Sequence, residues 1–383
     1  MAKQVPHPSS PETLGAQRGL LRVCARIRPD ESIIAAIRTA ARGQKSWQGI
    51  VDQAEAHGIA PIAYRNLKHA GVTMPRNVAQ ALQGLTLRHR RSAEIRTNML
   101  LQILDVLDAA GIHAIVLKGA ALMHLIYPEP GLRPMRDLDI LVDPRRAADA
   151  QRRLIDELSF TPQGEHRGFM FHHHHLPTIV REQEGLMVSV EIHTDAISGD
   201  VPECLSTDNL SGPLQPFMLA DRRAYTLGHT DMLRHLCRHA FEPAEEIKLG
   251  SIADIIGYAS RYLEDIAWYH LARSHASVVN TIRCLHYVCP LPAELLNMLG
   301  TPPPNPPAGV GRGLAPLSRL LGSGASPWQG VGTLLMPPEW WLHVYYNVPP
   351  EKSVTQTRWV SHPCRVLYWL GRRWRAARDS RRH

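Results

Sequence analysis

Apolar residues recur at spacings of three and four from about Glu31 to Leu107, as in Ile33-Ile34-Ile37 and Ile50-Val51-Ala54. That period predicts amphipathic helices. The longest runs from Val78 to Leu107, and Gly71 with Pro75 punctuates the stretch before it. The pattern then changes. His113-Ala114-Ile115-Val116-Leu117 is a short β-branched run after Gly111, an expected helix C-cap. Ala120 to Tyr127 reads as a short helix stopped by Pro128, and Ala147 to Leu158 as an amphipathic one. Three further strands are expected at Leu138–Val142, Thr178–Glu182 and Leu186–His193, with a turn at Glu184-Gly185 between the last two. Met232 to about Leu271 and Ser277 to Leu299 read as helical again.

This order predicts an α/β (α+β) core between helical segments. The expected divisions are a flexible lead over 1–20, a helical segment over 21–107 and the α/β core over 108–200. A helical segment packed on the core follows over 201–300. Between 301 and 332, 14 of 32 residues are Pro or Gly, which suits a linker. Residues 333–383 form an aromatic and basic end.

At 383 residues, 44% hydrophobic and 20% charged, the chain has the composition of a soluble globular protein. No apolar run is long enough for a membrane span, and the first ten residues lack a signal-peptide core, so a cytoplasmic location is expected. The formal charge is +8, of which the stretch 351–383 carries +7, leaving +1 for residues 1–350. A chain-wide nucleic-acid field is therefore not supported. The basic tail is a solvated helix, or makes weak contact with an acidic partner or membrane surface. Six scattered cysteines without a CxxC pair fit neither a disulfide framework nor a zinc ribbon.

The candidate chemistry lies in Arg136-Asp137-Leu138-Asp139-Ile140-Leu141-Val142. Asp137 and Asp139 at i and i+2 on a strand share one face. Two adjacent carboxylates repel unless a cation lies between them, and Mg²⁺ suits such hard oxygen donors. In Val188-Ser189-Val190-Glu191-Ile192-His193 the same alternation places Ser189, Glu191 and His193 on one face. Glu191 would complete a two-ion site if the strands are neighbours. Lys118-Gly119-Ala120 joins a strand to a helix N-terminus, a natural phosphate seat. Gly119 allows close approach, and Lys118 adds a positive charge.

Other residues carry two readings. Arg133 and Arg136 contact phosphates or neutralise the acids. His193 orients a phosphate or carboxylate, or is a hydrogen-bonded structural histidine. His172–His175 read as a solvated loop at the site mouth, or as a metal clip. His235, Cys237 and His239 read as core packing, or as a zinc site, and Trp340, Trp341, Tyr345 and Tyr346 as an aromatic packing patch, or as a ligand platform or membrane-interface patch.

Together, Leu117–Leu122, Tyr127-Pro128, Gly131–Pro134, Arg136–Val142 and Val190–His193 resemble an uncharacterised nucleotidyltransferase family of the DNA polymerase beta-like superfamily. Leu233–Ala240, Ile252–Ile256 and Thr357–Val360 extend the similarity to about residues 30–370. The resemblance implies a minimal nucleotidyltransferase fold, a mixed sheet flanked by helices. It puts Asp137, Asp139 and Glu191 in the catalytic, metal-binding roles. It also implies an NTP donor, two Mg²⁺ ions (or Mn²⁺) and an acceptor hydroxyl on a small molecule, peptide or macromolecule. The superfamily's usual Gly-Gly or Gly-Ser turn is Lys118-Gly119-Ala120 here, without a serine hydroxyl. That departure keeps a second expectation open, a non-catalytic binding or scaffold protein that retains the fold.

Overall fold

The computed structural model describes residues 19–44, 46–163, 174–197, 204–240, 247–300, 302, 342, 346, 348, 352–368 and 371. Most of the lead, His172, His173, nearly all of 301–332, and Trp340, Trp341 and Tyr345 lie outside them. The chain divides into two compact units, Met1–Leu236 with Lys248–Ile266, and Cys237–Ile247 with Ala267–His383.

The first unit opens with helical residues 19–24 (α1), then α2 (Glu31–Arg42), α3 (Ile50–Ala56), α4 (Ala60–His69) and the 34-residue α5 (Arg76–Ala109). Asp30 caps α2 by accepting from the Ile33 amide at 2.8 Å. Gly111 closes α5 in the left-handed region at φ 65°. The amides of Gly111 and Ile112 reach the carbonyls of Asp108 and Leu107, a Schellman ending. That ending turns the chain into β1 (Ile115–Val116), shorter than the run 113–117 suggested.

The sheet order is β1-β2-β5-β4-β3, with β2 (Asp137–Leu141), β3 (Thr161–Pro162), β4 (Ile179–Gln183) and β5 (Leu186–His193). β2 and β5 run parallel at its centre, and the other pairs are antiparallel. The mixed sheet and its flanking helices are the expected α/β class. α6 (Lys118–Leu125) follows β1, and α7 (Ala147–Leu158) follows β2. Glu184 (φ 51°) and Gly185 (φ 76°) turn β4 into β5, in the positive-φ pair that a two-residue hairpin favours. Leu138, Ile140, Val188, Val190 and Ile192 are fully buried on one face, as the alternation requires.

Residues 201–300 are not helical throughout. A hairpin, β6 (Gln215–Leu219) with β7 (Arg222–Thr226), lies against β1 and α6. Its period of two is visible once paired, with Phe217, Leu219 and Ala224 buried and Met218 and Tyr225 exposed. α8 (His229–Ala240) leads out of the first unit, to which α9 (Leu249–Arg261) returns. In the second unit the expected helix over 277–299 is two, α11 (Ala276–Leu285) and α12 (Ala293–Leu299), preceded by α10 (Trp268–Ser274). Pro290 and Pro292 account for the break. All six cysteines are free thiols. No helix among the described residues is long and apolar enough to cross a membrane.

Candidate active site

The parallel register sets Asp137 against Ser189, Asp139 against Glu191 and Leu141 against His193. Directly opposed residues lie on the same sheet face. Two neighbouring strands therefore gather Asp137, Asp139, Glu191 and His193 above an apolar layer.

Asp139 is buried, and its Oδ1 accepts from two donors. His193 Nε2 approaches at 2.8 Å and Lys118 Nζ at 3.1 Å. His193 is fully buried, and its Nε2 is also 3.6 Å from Glu191 Oε2. Burial pulls the imidazole pKa down, but the Asp139 and Glu191 contacts outweigh it and raise the pKa above its ordinary value. Burial raises Glu191, while His193 and His175 bring it below the usual carboxylate range. Thr178 Oγ1 donates to Glu191 Oε1 at 3.1 Å. Asp137 is raised, first by burial and then by the Asp139 charge, against the opposing pull of Lys118. Donor atoms of Asp139, Glu191 and His193 lie within 4.8 Å of one another. Among the described residues His235, Cys237 and His239 form no such group.

Lys118 has φ 46°, unusual for a residue with a side chain. This is the first residue of α6, and its conformation accompanies the Nζ contact with Asp139. Gly119 and Ala120 follow it, both buried. A Cβ on Gly119 would stand 3.4 Å from Arg133 Cζ and Nη1 and from Met135 Cβ. The guanidinium thus packs directly against this turn. Arg133 is held from behind: its Nε and Nη2 donate to Asp254 on α9 at 2.7–3.0 Å, and Tyr127 Oη donates to the same carboxylate at 2.7 Å. Arg136 is exposed, and its carbonyl accepts from Arg96 Nη2 at 3.1 Å.

Several of these partners escape a sequence reading. Arg96 reaches β2 from the middle of α5, where burial lowers its pKa against the opposing pull of the Asp137 charge. Asp254 stands 121 residues from Arg133. His174 and His175 come beside the site: their ring centroids lie 5.1 and 5.2 Å from that of His193. The His run was a visible signal, but its distance from Glu191 was not.

Residues 43–297 match the family described as uncharacterised nucleotidyltransferase, about two thirds of the chain. The chain belongs to that family. The strand pair bearing Asp137, Asp139 and Glu191, the Lys118-Gly119 turn and Asp254 all fall inside the matched nucleotidyltransferase region. None of the curated proteins matches the chain. Among solved structures it is similar to an antigenic nucleotidyltransferase-like protein from Paracoccidioides brasiliensis. The two are 16% identical over 55% of this chain and 91% of the other, with a TM-score of 0.36.

Proposed function

We propose that this chain moves a nucleoside monophosphate from an NTP to an acceptor hydroxyl, releasing pyrophosphate, with Mg²⁺ as cofactor. The observation that carries the reading is the register of Asp139 opposite Glu191, with Asp137 two residues away on the same face. The donor chemistry fits a divalent ion. Three carboxylates share one face, and burial together with the Asp139 charge holds the Asp137 pKa up. Asp137, Asp139 and Glu191 would hold the ions, which offset triphosphate charge when bound.

The chain's own groups then have separate tasks. The amides at the start of α6, at Gly119 and Ala120, seat phosphate oxygens, and Lys118 turns its charge from Asp139 toward them. Arg136, exposed beside Asp137, meets the triphosphate from the solvent side. Arg133 stiffens the turn from behind Gly119, because Asp254 and Tyr127 already engage it. Before an ion binds, His193 holds the Asp139 carboxylate in place through Nε2. Glu191 accepts the proton of the acceptor hydroxyl. The acceptor oxygen attacks the α-phosphorus in line, and the bond to the pyrophosphate oxygen breaks.

The test is thermal unfolding with each of the four NTPs, with and without Mg²⁺, in the wild type and in Asp137→Asn. A bound ligand stabilises by about 2.7 kcal/mol at a hundredfold excess over its Kd. A Mg²⁺-dependent rise in Tm, larger for one base and lost in Asp137→Asn, is expected. No shift with any NTP would overturn the reading in favour of a scaffold that keeps the fold.

A further inference from the structure

The three acids account for the hard-ion chemistry, but not for the nitrogen donor beside them. His193 is fully buried and points Nε2 at two carboxylates. Its Nδ1 is buried without a hydrogen-bond partner. A structural histidine at such depth is ordinarily satisfied at both nitrogens. This one is committed at one end only, and that end faces the site.

A second observation points the same way. His175 Nε2 lies 3.9 Å from Glu191 Oε2, and the rings of His174 and His175 flank that of His193. Two carboxylates with an imidazole between them, and two more imidazoles alongside, form a nitrogen-rich setting. Mg²⁺ has little use for nitrogen, whereas first-row transition ions bind imidazole readily. The geometry admits an ion. A six-coordinate ion with bonds of about 2.1 Å separates its ligand atoms by about 3–4.2 Å. Asp139, Glu191 and His193 already hold theirs within 4.8 Å.

We propose that the two cation positions of this site differ in kind. Asp137 with Asp139 takes a hard ion such as Mg²⁺, and Asp139, Glu191 and His193 take a first-row transition ion with His193 as a nitrogen ligand. The proposal rests on the nucleotidyl-transfer reading and names the metal class of one of its two positions. Binding opens the 2.8 Å contact between His193 and Asp139 and leaves Lys118 as the remaining donor of that pair to Asp139 Oδ1.

Mn²⁺ is a demanding probe, because it is the weakest binder of the transition series at nitrogen-containing sites. The experiment adds one equivalent of Mn²⁺ to the full chain in a hundredfold excess of Mg²⁺, without nucleotide. It records the electron paramagnetic resonance and the ¹⁴N electron spin echo modulation. Bound Mn²⁺ with a directly coordinated ¹⁴N is expected. That nitrogen signal disappears in His193→Gln, with affinity lower by about tenfold or more, and persists in His175→Gln. The wild-type spectrum tests the proposal even if His193→Gln fails to fold. Bound Mn²⁺ that is lost in Asp139→Asn but shows no ¹⁴N coupling would overturn the mixed site and leave nucleotidyl transfer standing. So would a protein stabilised by Mg²⁺ with an NTP that takes up no Mn²⁺. If neither Mn²⁺ nor Mg²⁺ with any NTP binds, both readings fall.

Discussion

Two buried ionic clusters flank the same turn, and their charges are arranged differently. Gly119 packs on Arg133, which meets Asp254 through paired contacts and shares it with the Tyr127 hydroxyl. One cation faces one anion, and the hydroxyl donates to the same acceptor. Burial and the neighbouring Asp254 hold the Tyr127 phenol well above its ordinary pKa, so it stays a donor. Lys118, the adjacent residue, reaches Asp139 instead, and its charge also acts on Asp137. There Asp139 draws two donors onto one oxygen, and Asp137 is pushed toward its protonated form. The matched cluster is complete in itself. The unmatched one crowds three carboxylates onto one sheet face, where the Asp139 and Glu191 charges act against Asp137.

Removing a charge from each cluster should therefore have opposite consequences. Asp137→Asn takes away an acid that its surroundings already resist. NTP-dependent pyrophosphate release should fall by about a hundredfold or more. Thermal unfolding should hold or improve, since a repulsion is relieved. A variant that keeps full turnover would remove Asp137 from the site. Asp254→Ala leaves the partly buried Arg133 guanidinium, 19% exposed, without its carboxylate, which costs about 3 kcal/mol in denaturant unfolding, the low end for a broken buried pair. An unchanged denaturation midpoint would mean that Arg133 is not held as a structural pair.

Gly131→Ala probes the matched side more gently. A Cβ there would lie 2.6 Å from Arg90 Cα on α5, so backbone must move. A loss of about 1–3 kcal/mol is expected, the range for overpacking. Calorimetry of this variant beside Gly119→Ala separates the two glycines. The added methyl at Gly119 meets its neighbours at 3.4 Å and should cost less stability.

The acidic cluster was legible in the sequence because strand alternation alone fixes which side chains share a face. Leu138, Ile140, Val190 and Ile192 mark the buried side, which leaves Asp137, Asp139, Glu191 and His193 together on the other. The pairing of the two strands needed the resemblance or the structure, since a parallel partner 50 residues away leaves no local signature. The matched cluster was half legible. Arg133 stood out beside the acids, but nothing in its surroundings announces Asp254 on α9. Nor did composition reveal the β6–β7 hairpin. Pro216 and the charged Arg222-Arg223 obscure its period until the strands pair. Local periodicity thus gave the elements and one face of the sheet, while contacts across long stretches of chain decided which charges meet.

The smallest expected effect comes from a titratable group that belongs to neither cluster. His124 lies on α6, the helix that Lys118 and Gly119 begin, with its ring stacked on Phe217 at 6.2 Å and Nε2 3.5 Å from Thr97 Oγ1. Burial holds its pKa down to about 4. In the unfolded chain it titrates near 6.5. Between these values the unfolded state binds the proton and the folded state does not, so stability falls as pH drops. The contribution is complete above about pH 6.5 and lost progressively toward pH 4. Discounted for the ring's partial exposure, it amounts to about 1–2 kcal/mol. Denaturant unfolding at pH 7 and pH 4.5 measures it, with His124→Leu as the reference. The variant should lose less stability on acidification than the wild type. Equal losses would place the whole acid sensitivity elsewhere, first of all in the carboxylates of the unmatched cluster.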